Sequence, residues 1–193
     1  PAGELRVADR GSGFGFSCAM DAKGDTILIG APGHDVQRGT VFIFARSAEK
    51  RKWVERARLD GPERRIGDFF GWAISSSHDG KVVAISAKGR RASNGEVYMY
   101  SCPESGSLLC QLVQQILPPD YTDETGPRGI RIRNNFGISM AMSGDGRVLV
   151  VGSTGYKTER GAAYVLEQNS DGGQWLLSHR IASSAPEPHA FFG

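Results

Sequence analysis

The residues whose types could do chemistry in this 193-residue chain are three cysteines, four histidines and a few turn aspartates. Their spacing decides what that chemistry can be. Cys102 and Cys110 bracket Pro103-Glu104-Ser105-Gly106-Ser107-Leu108-Leu109, a hairpin-like stretch. Facing positions across a hairpin can meet disulfide geometry, which implies an oxidising compartment. Two unpaired thiols in a reducing one is the other reading. Cys18 occupies the repeat position held elsewhere by Ile74 and Met140 and reads as a small buried hydrophobe, since no histidine base is placed for a nucleophile. His34, His78, His179 and His189 are scattered without metal-ligand spacing. Gly11-Ser12-Gly13-Phe14-Gly15 could pass for a phosphate loop, but no strand leads through it into a helix. Neither a Gly-x-Ser-x-Gly elbow nor paired catalytic carboxylates occur. The reading is no catalytic residue, no metal ligand and no cofactor.

The elements that would position these residues emerge from an internal repeat. Phe-Gly occurs at Phe14-Gly15, Phe70-Gly71, Phe136-Gly137 and Phe192-Gly193, with glycine spacings of 56, 66 and 56 residues. Alignment on these glycines brings Gly30-Ala31-Pro32, Ser86-Ala87-Lys88 and Gly152-Ser153-Thr154 into register. Gly39, Gly95 and Gly161 follow, each opening an apolar strand: Thr40–Phe44, Glu96–Tyr100 and Ala162–Leu166. Each copy reads as four strands. The first alternates bulky residues with Ser or Ala, as in Ile138-Ser139-Met140-Ala141-Met142, so that its small face can admit a neighbouring sheet. The second is a β-branched run such as Lys81-Val82-Val83-Ala84-Ile85, suited to burial on both faces. Turns containing Asp and Gly join these two, and a more polar fourth strand closes each unit, near Trp53–Leu59, Cys110–Leu117 and Trp175–Ile181.

Phe-Gly, a downstream Gly-Ala-Pro and a Gly-x-Val-Tyr-Val-Tyr-like strand together resemble the FG-GAP repeats of integrin-α-type β-propellers, over roughly residues 11–193. Repeat one matches best, because Gly-Ala-Pro has become Ser86-Ala87-Lys88 and Gly152-Ser153-Thr154 in the others. The resemblance implies an all-β fold, a β-propeller segment of about three four-stranded antiparallel blades. The chain then reads as one domain, 1–193, with repeats at about 11–66, 67–132 and 133–189 and the start of a fourth repeat at its end. Trp-Asp strand endings of the competing WD40 propellers are absent. Some integrin blades hold calcium between their first two strands. Here those turns offer only Asp21 and Asp25, Asp79, and Asp145, too few for an ion that takes six to eight oxygens.

Repeat two is the longest, through an insertion from Pro118 to Arg133 on the blade-to-blade connection that such propellers turn toward ligands. It is either a tolerated surface insertion or a contact surface. On the second reading Asp120, Tyr121, Asp123, Glu124, Arg128, Arg131 and Arg133 bind a partner. A net charge of +2 gives no case for nucleic acid, and no apolar run approaches a membrane span. The functional expectation is a non-catalytic extracellular, cell-surface or lumenal module for protein–protein contact or scaffolding. Its partner would be another protein or further blades of the same polypeptide, with higher-order assembly open to it. The alternative is an accessory propeller domain of a larger secreted hydrolase, such as a glycan-anchor phospholipase.

Overall fold

The computed structural model describes residues 11–47, 52–103, 110–119, 133–155, 160–184 and 193. It is all-β: three four-stranded antiparallel sheets, each formed by consecutive strands in the order first to fourth. Sheet 1 contains β1 (Ser17–Met20), β2 (Thr26–Ala31), β3 (Thr40–Arg46) and β4 (Trp53–Asp60). Sheet 2 contains β5 (Phe70–Ser76), β6 (Val82–Ala87), β7 (Glu96–Ser101) and β8 (Gln111–Ile116). Sheet 3 contains β9 (Phe136–Met142), β10 (Val148–Ser153), β11 (Ala162–Gln168) and β12 (Trp175–Ile181). The first strands β1, β5 and β9 lie side by side, so the sheets pack face to face.

The repeated landmarks have physical causes. Gly15, Gly71 and Gly137 have φ of +89°, +83° and +83°, and Gly39, Gly95 and Gly161 have +82°, +84° and +82°. Glycine enters that region at little cost, whereas side chains rarely do. The Phe before the first glycine anchors the core. Phe14, Phe70 and Phe136 stand 5.5, 5.6 and 5.5 Å from Phe42, Tyr98 and Tyr164, the same position of the third strand each time. One core fills the gap between sheets 1 and 2, around Leu28, Ile43, Phe70, Ile85 and Tyr98. A second fills the gap between sheets 2 and 3, around Met99, Phe136, Leu149, Tyr164 and Trp175.

The small faces of the first strands sit where the sheets approach. Ser17 donates its hydroxyl to the Gly71 carbonyl at 2.8 Å, and Ser75 Oγ accepts the Met142 N–H at 3.0 Å. Main chain also crosses the seams. Phe69 and Phe70 donate to the carbonyls of Gln37 and Arg38, and Asn135 and Phe136 donate to those of Ser93 and Asn94. The carbonyls come from two short helical turns, His34–Gln37 and Arg90–Ser93, with consecutive left-handed residues: Asp35, Val36, Gln37 and Arg91, Ala92, Ser93. Val36 is the least suited of these, because a β-branched side chain clashes with its own backbone there. It is 65% exposed and packs on little. Val36→Asn therefore raises stability by about 1 kcal/mol, read as a higher urea midpoint at unchanged slope.

Cys18 is exposed rather than buried, on the face of β1 that also exposes Phe16 and Met20. The corresponding face of β5 carries Ile74, which is buried in the core between sheets 1 and 2. Alternation placed Cys18 on the bulky face but could not say that this face of β1 would stay largely exposed.

Candidate functional site

The hairpins β1–β2 and β3–β4 of each sheet lie at one end, and the β2–β3 turn and the connection to the next sheet lie at the other. The candidate side chains divide between these ends. At the hairpin end, Cys102 and Cys110 form the disulfide across the β7–β8 connection. Closing a loop with a sequence separation of 8 stabilises by about 2.5 kcal/mol on the chain-entropy model. Reduction with dithiothreitol should lower the urea midpoint by that equivalent. The turn aspartates hold their own hairpins. Asp21 accepts the N–H groups of Asp25 and Thr26, Asp79 accepts the Ser77 hydroxyl and the Lys81 N–H, and Asp145 accepts the Ser143 hydroxyl and the Arg147 N–H. These bonds, the hydroxyl donor first, hold the Asp79 and Asp145 carboxyls below the usual aspartate range. Among the described residues no group of three His, Cys, Asp or Glu side chains is arranged to hold a metal ion.

Of the four histidines, His34, His78 and His179 are described and sit on separate elements, and His189 lies outside the described residues. His34 packs its ring 5.6 Å from Phe42, and the His179 Nδ1 lies 2.7 Å from the Ser178 hydroxyl. His78 joins adjacent hairpins through its backbone, donating to Gly144 and accepting from Ala22. Of the proposed contact residues, Asp120, Tyr121, Asp123, Glu124, Arg128 and Arg131 lie outside the described residues. Arg133 is described and exposed.

The connection end carries what sequence reasoning missed. Glu96, at the start of β7, is fully buried and accepts from Arg90 Nε at 3.0 Å, Tyr98 Oη at 2.6 Å and Gln115 Nε2 at 2.7 Å. Arg91 is a further donor to the same carboxylate. Arg90 is buried too and reaches Glu63 at 2.6 Å and Asp68 at 3.3 Å. Burial alone would raise the Glu96 carboxyl, but the bonds from Tyr98, Arg90, Gln115 and Arg91 outweigh it and hold the pKa below the ordinary value. Every charge in this cluster is answered from within, so it reads as a fixed structural core rather than as a reactive group.

Lys88 differs. It follows β6 at the same end and is half-buried, with Nζ 4.0 Å above the centre of the Trp72 ring. Phe69 meets Trp72 edge-on at 6.0 Å, and Phe16 lies 4.5 Å from it. No carboxylate among the described residues pairs with Lys88. Burial pushes its ammonium pKa below the ordinary lysine value.

No protein-family model matches the chain. No curated protein matches it either. A solved structure from Bacteroides fragilis, described as a candidate 6-phosphogluconolactonase, shares its fold at a TM-score of 0.61 and 18% identity. The match covers 92% of this chain and 41% of that protein. The fold is propeller-like.

That likeness corrects the expectation of a non-catalytic contact or scaffold module and of no enzyme, because the fold is carried by a protein described as an enzyme. It gives no support to the accessory-domain alternative. The physical reason lies in how a repeat of sheets builds a site. Side chains converge from turns far apart in sequence, so the lack of a contiguous catalytic motif had no force.

Proposed function

We propose that this chain contributes three FG-GAP-type blades to a β-propeller enzyme that hydrolyses a small sugar-derived ester of the lactone class. The fold likeness over 92% of the chain carries this reading, because the neighbouring structure is described by that activity. The Phe-Gly glycines and their paired aromatics support the repeat assignment, as each copy uses the same left-handed glycine and the same Phe-to-aromatic contact. The Cys102–Cys110 disulfide supports an oxidising compartment, extracellular or lumenal, as the setting of this activity. Among the described residues no helix is long and apolar enough to cross a membrane.

The substrate would be met at the connection end, where loops on a rigid sheet scaffold are free to vary. Ring opening of a lactone develops negative charge on the carbonyl oxygen, so cationic groups at that end lower the barrier. The test is a pH-stat assay of the full-length natural protein with 6-phosphogluconolactone and with gluconolactone. Saturable acid release above spontaneous hydrolysis is the expected result. A rate equal to buffer with both substrates sinks the proposal.

A further inference from the structure

In a repeat protein, positions shared by every copy build the fold, and a copy that departs at a cost points to a second demand. Sheet 2 departs at three neighbouring places. It carries Lys88 where the others have Pro32 and Thr154, Trp72 where they have Phe16 and Ile138, and Phe69 where they have Gly13 and Asn135. The last is the costly one. All three residues are left-handed, with φ of +65° at Gly13, +53° at Phe69 and +52° at Asn135. Gly and Asn tolerate that region, whereas a bulky aromatic is strained in it. Strain of this kind persists where surrounding structure enforces it, and it clusters at ligand sites.

The enforced position brings the Phe69 ring beside Trp72, packed so closely over Gly89 that a Cβ there would lie 2.8 Å from Phe69 Cδ2. Trp72 in turn fixes the Lys88 ammonium through its ring face. The contrast with Arg90, two residues on, is informative. Arg90 is buried and meets three carboxylates, while Lys88 is half-buried and meets none among the described residues. A cation withdrawn from water without a counter-charge is completed by an anion.

We propose that Lys88, Trp72 and Phe69 form a seat for the anionic group of a sugar acid, with Lys88 binding its carboxylate or phosphate and the two rings holding Lys88 in place. The seat rests on the lactone reading for the sugar part of the ligand and deepens it by naming the residues that hold the charge.

Calorimetric titration of the full-length protein with 6-phosphogluconate, gluconate and inorganic phosphate tests it. Saturable binding of at least one is expected. The arms assign the chemistry: phosphate binding alone identifies the phosphate group, and gluconate binding identifies the carboxylate. Lys88→Met keeps the aliphatic stem over Trp72 and should weaken binding by at least about tenfold, the loss of one charged hydrogen bond. Lys88→Arg should retain it, and Lys81→Met, at the opposite end of the sheet, should leave it unchanged. Wild-type affinity in folded K88M overturns the seat, as does the absence of binding in all three titrations. Binding without lactone turnover keeps the seat and removes the lactonase reading. Turnover with an unaltered KM in K88M does the reverse.

Discussion

Glu96→Ala is expected to lower stability by about 3–5 kcal/mol, the cost of breaking a buried charge network from one side. Four donors lose their acceptor at once: Arg90, Arg91, Tyr98 and Gln115. Arg90 keeps Asp68 and the half-exposed Glu63, which compensates its charge in part. Tyr98 has no such fallback and is almost wholly buried. For a chain of this length each kcal/mol moves the thermal midpoint by about 2–4 °C, so the fall is on the order of 10 °C. Glu96→Gln keeps one acceptor oxygen but loses the charge and the second acceptor, so it should fall between wild type and E96A. Acid separates charge from shape. The folded carboxyl is held below its unfolded value, so its contribution is fully present above about pH 4.3 and fades as pH falls through the folded pKa. Urea midpoints of E96Q should therefore drop less than wild type between about pH 5 and 3. Parallel slopes for the two proteins would mean that the Glu96 charge does not support the fold.

This network was illegible in the sequence for a reason that Glu96 itself shows. It sits at the start of a strand correctly read as apolar, where sheets 1 and 3 carry Thr40 and Ala162. Its donors come from the β6–β7 turn, the β7 strand and the outer strand β8, and nothing in their spacing announces a meeting point. The strands were legible because their causes are local. Alternation of bulky and small residues marked β1, β5 and β9, and β-branched runs marked β2, β6 and β10 to within a few residues. The disulfide was legible too, because its two cysteines face each other across a single hairpin. Lys88 was noted only as a departure from Gly-Ala-Pro. Its meaning depends on Trp72 and Phe69, from another strand and another loop, and on the lack of a pairing carboxylate among the described residues. Local periodicity gives elements, whereas a site is a coincidence of elements in space.

The seam between sheets 2 and 3 gives the second large effect. Gly95→Ala should cost about 3 kcal/mol or more, combining steric overpacking with backbone strain. At φ +84° an added Cβ would land on the Phe136 carbonyl oxygen and stand 2.9 Å from the Phe136 carbonyl carbon and nitrogen. Those are main-chain atoms, fixed by the bond from the Phe136 N–H to the Asn94 carbonyl at 2.9 Å, so no rotamer change relieves the clash. The sheets must part instead, at the place where the Phe136 ring meets Tyr164 in the core. Gly172→Ala is the control. Its φ of +74° is also left-handed but it meets nothing within 4 Å, so it should lose only the conformational cost of about 1 kcal/mol. Urea unfolding of both variants measures the difference, which isolates the close approach from the backbone preference. Equal losses would mean that the glycine is kept for its φ alone. A much larger loss for G95A would mean that the repeat keeps glycine there because the next sheet occupies the space where a side chain would begin.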